Sequence, residues 1–507
     1  MSDMQMEDDG RADRRGKPYF LLCSVVSILS AGLLFYSQTA AFAWDEGFHL
    51  LAAQLVKAGK RPYLDFVFSQ TPLNAYWNAG WMWVFGESWR TAHAIAALLT
   101  GAAVMLTADF LFACFPVPRW RLGAALAVAL AVGMNVVIVE FGTIAQAYGL
   151  CLFLIVAAFR LSVLAVHRKG LLLAGSAGCL AGAAAASSLL TASVAPVLVL
   201  WMLFYNRAGS RRAKLAAFLA GVAIPFLPLL RLFAMGPRQV FFGVIEYNLF
   251  HRELQWETAT SHNVDVMLSW IDCSHALLLG LLAAAGLLFI AFRSEWDRRQ
   301  RAEFYLCGWL ALALGIHIST AHPTFQRYYL LLVPFLGILA SAGLYWMAVR
   351  LYAPDRPLLP VLALTVLLSL GLAKTLYEDR DDYAWRDIEE IARKVDRVTP
   401  PHSLLLADEH VYFLTRRLPP SGMELKDSHK LEFSGDLAER LHVVSGTELD
   451  RRIKAGVFET IESCDEDQRT DELGLTRRYA QKATVSDCMV FWDRIPLSTG
   501  AVAPSGK

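Results

Sequence analysis

Charge is scarce in this chain. Of its 507 residues only 18% are Asp, Glu, Lys or Arg, while 55% are hydrophobic. A soluble protein of this length needs more charge to cover its surface. The formal balance is +1, so no broad basic surface is present and nucleic acid is excluded as a partner. The eight cysteines include no CxxC pair, which argues against a thiolate-bound metal. A nucleophile motif, a phosphate loop and an internal repeat are all missing.

Long apolar runs fill the remaining space. A membrane-spanning helix needs about 20 apolar residues, because its backbone must satisfy itself in hydrocarbon. About eleven stretches qualify: 19–42, 90–115, 122–139, 143–166, 171–186, 188–206, 215–234, 271–292, 304–320, 328–350 and 358–376. The divisions within 122–166 and 171–206 are the least marked. Basic residues orient these spans. Arg11, Arg14, Arg15 and Lys17 precede the first. Further clusters lie at Arg119 and Arg121, at Arg168 and Lys169, at 207–214 and at 293–301. With eleven spans every cluster falls on the side of the N-terminus, which is therefore cytoplasmic. No small-residue cleavage pattern ends the first span, so it reads as an anchor rather than a signal peptide.

The expected fold is thus a polytopic α-helical membrane protein with about 11 transmembrane helices and a small C-terminal α/β domain. Residues 1–18 form a cytoplasmic tail and 19–376 the membrane domain, with outer loops at 44–89 and 235–270. Residues 377–507 form an extracytoplasmic domain. In that domain 403–407 (SLLLA), 457–461 and 488–492 read as strands, and 409–416 as a short helix stopped by Pro419-Pro420. Cys464 and Cys488 lie in this polar region, and an oxidising compartment would join them as a disulfide. The other six cysteines sit in or beside apolar segments and read as packing residues.

The first outer loop is the most informative stretch: WDEGFHLLAAQLVKAGKRPYLDFVFSQTPLNAYWNAGWMWVFGESWR. Phe48, Leu51, Ala52 and Leu55 recur with helical spacing, which predicts an amphipathic helix flat on the membrane surface. Gly59 and Pro62 stop it. Asp45 and Glu46 lead it, at the depth of a lipid headgroup. Taken alone they have a plain explanation, because carboxylates stabilise a helix start by about 0.3–1 kcal/mol. Asp65, Gln70 and Arg90 likewise read as loop polar residues and a membrane-edge anchor.

The second outer loop, VFFGVIEYNLFHRELQW, interleaves aromatics with Glu246, His251 and Arg252. It reads as an interfacial helix with a polar face. Arg231 lies inside an apolar segment after Pro225 and Pro228, and intramembrane arginines face a cavity or a partner. Gln326 and Arg327 begin a span beside Tyr328 and Tyr329, which suits membrane-edge anchors. His322 reads as a lone structural histidine.

The first outer loop resembles that of the glycosyltransferase C superfamily, in the branch of the protein O-mannosyltransferases and the lipid A aminoarabinose transferase. The resemblance rests on Asp45-Glu46-Gly47, Leu51, Ala52, Gly59, Arg61-Pro62-Tyr63, Asp65-Phe66, Pro72-Leu73, Tyr76, Phe85-Gly86 and Arg90. Weaker similarity reaches 416–422 (RRLPPSG). It implies an enzyme: an inverting transferase that moves a hexose or pentose from a polyprenyl-phosphate donor to a hydroxyl acceptor. The acceptor, a glycolipid, polysaccharide or protein, stays open. Asp45 then stands at the place of the catalytic base, with Glu46 beside it. Asp65, Gln70, Arg90, Glu246, His251, Arg252 and Gln326 become candidates for substrate contact. Arg231 and Arg327 become candidates for the carrier phosphate.

The resemblance also implies a multi-pass protein of the cell envelope, in a bacterial inner membrane. A lipid phosphate leaves once its charge is met, so one carboxylate suffices, unlike the pair that hydrolases use. That charge requires arginines or a divalent metal ion. Related enzymes carry a second acid at the outer junction of the third and fourth spans. Here the junction reads VEFGTIAQAYGL: Glu140 comes early, and Gln146 and Tyr148 occupy the acidic place. A transporter or flippase of lipid-linked saccharides is the alternative. Its sites would lie at the bilayer midplane on broken helices, whereas the polar residues here gather at the outer edge.

Overall fold

A computed structural model describes residues 16–250, 259–292, 295–321, 323–351, 356–433, 435–464 and 472–495. His251, Arg252 and His322 lie outside them.

The chain is mostly helical, as its apolar runs require. Among the described residues eight helices are long and apolar enough to cross a membrane. They are Lys17–Thr39, Trp89–Cys114, Ala147–His167, Arg211–Met235, His275–Phe292, Arg298–Ser319, Gln326–Leu351 and the one that begins at Leu358. Each coincides with an expected span. The other three expected spans are shorter helices. The 122–139 run breaks into Arg121–Gly133 and Val136–Phe141, because Gly133, Met134 and Asn135 interrupt it. The 171–206 run divides at Ser187 and Ser188 into Leu172–Ser187 and Val194–Tyr205, joined by a short 3-10 turn.

Small residues let these helices approach closely. Gly286 and Gly343 face one another across the His275–Phe292 and Val333–Leu351 helices. A Cβ on Gly343 would stand 2.0 Å from the Leu282 carbonyl oxygen, so a larger residue cannot enter without separating the helices. Polar pairs also join segments of this part. Arg160 and Asp109 form an ion pair at 3.0 Å, and the Tyr19 hydroxyl donates to the same carboxylate at 3.4 Å.

The chain divides into two compact units. One comprises Met1–Phe42, Gln70–Arg231 and Gln255–Asp382; it holds the long helices. The other gathers Ala43–Ser69, Leu232–Leu254 and Tyr383–Lys507. The C-terminal region therefore folds together with most of the first outer loop and part of the second.

This second unit has a four-stranded sheet of β1 (Leu405–Leu406), β2 (Thr460–Ser463), β3 (Tyr479–Val485) and β4 (Cys488–Arg494), in the order β1-β2-β4-β3. β1 and β2 run parallel, and the other neighbours are antiparallel. Three strands match the sequence expectation within a few residues. β3 does not, because it is the sheet edge. Its Ala480, Gln481 and Lys482 are exposed, so it shows no apolar run, and a lysine there discourages pairing with another chain. Cys464 and Cys488 are joined as a disulfide, which fastens the end of β2 to the start of β4. Met423, Val444, Leu449, Ile453, Phe458, Ile461 and Phe491 form the core below the sheet.

In the helix Glu46–Lys57 every residue from Glu46 to Leu55 is buried, so protein covers its polar side as well as its apolar stripe. Its apolar stripe was legible; the cover over its polar side was not.

Candidate functional site

The expected site residues fall in both units. Asp45, Glu46, Asp65 and Glu246 belong to the unit with the sheet. Gln70, Arg90, Gln146, Tyr148, Arg231, Gln326 and Arg327 belong to the helical bundle.

In the sheet-bearing unit, Asp45 is the N-cap of the Glu46–Lys57 helix and its side chain makes no cap hydrogen bond. It is exposed, whereas Glu46 is 0% exposed. Glu46 accepts a hydrogen bond from the Trp385 indole Nε1 at 3.3 Å. Trp385 opens the Trp385–Val398 helix, whose Trp385, Ile388, Ile391, Ala392 and Val395 are buried at helical spacing. Beside this contact stands His410, from the Glu409–Thr415 helix. Its Nε2 accepts the backbone N–H of Gly47 at 3.1 Å. The His410 ring lies edge-on to Trp385, at 5.3 Å between ring centres, and to Trp44, at 5.9 Å. Burial pulls the His410 pKa down, against Glu46, Asp408, the Ala43 carbonyl and Asp45, which pull it up. A neutral ring is also what the Gly47 contact demands, since a protonated Nε2 has no lone pair to accept.

Asp65 is held locally. The Arg61 guanidinium grips both carboxylate oxygens, at 2.9 and 2.7 Å, and the Arg61 backbone N–H adds a third bond at 2.7 Å. These bonds hold the Asp65 carboxyl below its ordinary range. Between them Tyr63 takes a φ of 67°, so the pair closes a tight Arg61–Asp65 turn. Glu246 pairs with Arg238, eight positions earlier, through one guanidinium nitrogen. Both carboxylates thus brace their own segments. Tyr247 is buried, and burial raises its pKa further than Asp427, Glu409 and Asp45 do. Its sensitivity to Asp45 places a phenol in the neighbourhood of that carboxylate.

In the helical unit, Gln146 is the N-cap of Ala147–His167 and is 4% exposed. Its Nε2 has no hydrogen-bond partner. Tyr148, the second residue of the helix, lies 6.1 Å from the Tyr328 ring. Arg327 stacks its guanidinium on Phe325 at 4.4 Å and approaches Tyr328 at 6.0 Å. Gln146, Tyr148 and Arg327 therefore belong to one neighbourhood, reached through Tyr328. Gln326 is exposed beside it. Arg90 packs on the Trp89 ring at 4.3 Å, as a membrane-edge anchor does. Arg231 is exposed, on a helix that follows the Ile224–Phe226 turn, and its charge acts on the Tyr76 phenol. Gln70 is half-buried just ahead of the Leu73–Phe85 helix.

The place of the expected second acid holds no carboxylate. Gln146 offers an uncharged amide, and Glu140 is hydrogen-bonded to Asp379. Among the described residues Glu462, Cys464 and Cys488 bring ligand-type atoms within 4.8 Å of one another. Both sulfurs are committed to the disulfide, so this group does not suit a metal.

His410, Trp385 and Tyr247 were missed in the sequence. His410 is one histidine in a seven-residue helix, 363 positions from its partner. Only the weak likeness over 416–422 pointed towards that region.

No family model matches the chain, and no curated protein matches it in sequence. Solved structures do match. An ArnT from Cupriavidus metallidurans bound to undecaprenyl phosphate aligns over 93% of this chain and 97% of its own, with a TM-score of 0.66 at 14% identity. Its apo state aligns over the same shares with a TM-score of 0.64 at 15% identity. The archaeal oligosaccharyltransferase AglB from Archaeoglobus fulgidus, in complex with an inhibitory peptide and a dolichol-phosphate, aligns over 95% of this chain and 75% of its own. Its TM-score is 0.53 at 13% identity. At such identities the likeness establishes the architecture alone: this chain has the glycosyltransferase C fold that its first outer loop resembles.

Proposed function

We propose that this chain is an inverting membrane glycosyltransferase. It moves a sugar from a polyprenyl-phosphate carrier to a hydroxyl acceptor on the extracytoplasmic face. Asp45 takes the proton of the acceptor hydroxyl as its oxygen attacks the anomeric carbon. The bond from that carbon to the phosphate oxygen breaks, and the lipid phosphate leaves with the electron pair. Because this leaving group needs no proton, one carboxylate suffices.

The observation that carries this reading is the contrast between two neighbouring carboxylates. Asp45 is exposed and takes no part in capping its helix, while Glu46 is buried against Trp385. That contrast supports Asp45 as the carboxylate that meets a substrate and Glu46 as the one that holds the segment. Arg327 and Arg231 would face the carrier phosphate, with Gln146, Tyr148 and Gln326 as polar contacts beside it. Gln70, His251 and Arg252 are further candidates for sugar contact. Asp65, Arg90 and Glu246 support the loops that carry the site. The reading draws support from the ArnT with undecaprenyl phosphate and the AglB with dolichol-phosphate, both similar in fold. The disulfide suits an extracytoplasmic location for the sheet-bearing unit, and the envelope of a bacterial inner membrane fits both. No step is routed through a metal.

The test is Asp45→Asn, which keeps size and removes the base. Turnover with a polyprenyl-phosphate sugar should fall by about 10² or more while donor affinity holds. Near-normal turnover in folded protein rejects the assignment.

A further inference from the structure

The segment that leads into the Ala147–His167 helix has several of its carbonyls met by side chains. The Asn78 amide Nδ2 donates to the Ala145 carbonyl at 3.1 Å. The Thr100 hydroxyl donates to the Gly142 carbonyl at 2.6 Å, and the Thr143 hydroxyl to the Val139 carbonyl at 2.7 Å. These bonds fix the turn that delivers the chain to the helix start. Gln146, the N-cap, is not matched in this way. It is 4% exposed, its side chain makes no cap hydrogen bond, and its Nε2 has no partner. A buried donor without an acceptor carries a desolvation penalty that the fold does not recover. At a helix start whose flanking turn is satisfied, it points to a ligand.

The surroundings give that ligand a sign. The first backbone N–H groups of a helix have no carbonyl partner inside it, and the helix dipole makes that end positive. Gln146 stands at this end and adds amide N–H donors with no charge to oppose an anion. Arg327 brings a full positive charge to the same neighbourhood. Its guanidinium lies 6.0 Å from the Tyr328 ring, which lies 6.1 Å from that of Tyr148, the second helical residue. The acid nearest in sequence, Glu140, is hydrogen-bonded to Asp379. A phosphate oxygen suits this set, since it accepts from several donors at once and binds at helix starts.

We propose that the start of the Ala147–His167 helix is a phosphate-oxygen site for the lipid carrier, with Gln146 Nε2 as the donor that recognises the oxygen and Arg327 as its countercharge. This rests on the reading of the carrier as a polyprenyl phosphate and is independent of the Asp45 assignment. It goes beyond that reading by giving an uncharged amide, rather than arginines alone, the task of telling phosphate from alcohol.

The test is equilibrium binding of two lipids to the full chain in phosphatidylcholine nanodiscs. One is undecaprenyl phosphate; the other is undecaprenol, which has the same chain without the anion. Wild type should bind the phosphate more tightly than the alcohol. Gln146→Met, of similar size, should shrink that preference about 10-fold. Gln146→Glu, which puts a negative charge at the helix start, should shrink it further. Undecaprenol should bind all three alike. An unchanged preference in both variants overturns the proposal, since the amide then meets only a buried water. So does an equal loss for phosphate and alcohol, which would make Gln146 a packing residue. Inorganic phosphate should displace undecaprenyl phosphate only at far higher concentration. Displacement at equal concentration would make this a site for free phosphate and overturn it too. Should Gln146→Glu fail to fold, Gln146→Met decides alone.

The failures are separable. A wild type that binds phosphate and alcohol equally well rejects the carrier reading, and this site with it. A wild type that discriminates, alongside variants that discriminate as well, rejects this site alone.

Discussion

The two units are held by different physics. In the helical bundle, small residues bring backbones together, and polar pairs such as Asp109–Arg160 and His167–Glu303 lie among the packed helices. In the sheet-bearing unit, directional contacts join segments far apart in sequence: Gly47 to His410, Glu46 to Trp385, His442 to the Leu64 carbonyl at 2.8 Å, and Cys464 to Cys488. Close packing responds first to volume, and directional contacts respond also to protonation and redox state. The proposed base lies in the second kind of environment, so its pose depends on single bonds.

The largest expected effect breaks the bundle. Gly343→Leu forces a side chain into the Leu282 carbonyl, which a Cβ would meet at 2.0 Å. Overpacking of this kind costs at least about 1–3 kcal/mol in a core that can adjust, and here the obstacle is backbone. The expected outcome is loss of monodisperse protein after detergent extraction, seen by size-exclusion chromatography. A normal profile would show that the helices separate freely.

Next comes the disulfide. Replacing Cys464 and Cys488 with Ser releases a 24-residue separation and should destabilise the sheet-bearing unit by about 3 kcal/mol. Hydrogen exchange should rise in β2 and β4 and stay constant in the bundle helices. Equal change in both would mean that the units unfold together.

A third effect is pH. Burial pushes Glu409 and Glu424 up to about 7 each, against an ordinary 4.5. The folded unit then holds protons that the unfolded chain gives up between those values. Their contribution to stability is full below about pH 4.5 and is lost as pH rises through 7. His410 acts oppositely. Its lowered pKa favours the folded unit above 6.5, and that contribution is lost as pH falls through the folded value. Two carboxyls outweigh one imidazole, so protection in 405–463 should decline between about pH 4.5 and about pH 7 and level off above that, after correction for intrinsic exchange. Glu409→Gln should flatten that decline, and a flat wild-type profile would contradict the assignment.

The spans were legible because hydrocarbon imposes a length and a composition that any reader of the sequence can count. Their shortest members were not, since Gly133 and Ser187 break helices whose neighbours are as apolar as any span. Asp45 was legible through its resemblance, but the reason that glycine follows Glu46 was not. That reason is a ring contact with His410, and contacts between distant segments leave no local pattern. Asp65 was singled out as a substrate contact. Its engagement with Arg61 shows how a short motif can owe its spacing to a turn.

The smallest expected effect concerns that turn. Arg61 is exposed, and water screens an exposed ion pair so that it adds little to stability. Arg61→Gln should leave thermal stability within one degree or so of wild type and raise the mobility of the 61–65 turn alone. A large loss of stability would place the pair among the directional contacts that hold the unit.

Gly47 and His410 lie 363 positions apart, which also sets an order of assembly. At about 5–20 residues per second, the ribosome needs roughly 20–70 s after making Gly47 before His410 exists. Throughout that interval Gly47 lacks the acceptor it has in the finished fold, so the start of the Glu46–Lys57 helix settles only once the Glu409–Thr415 helix has been made.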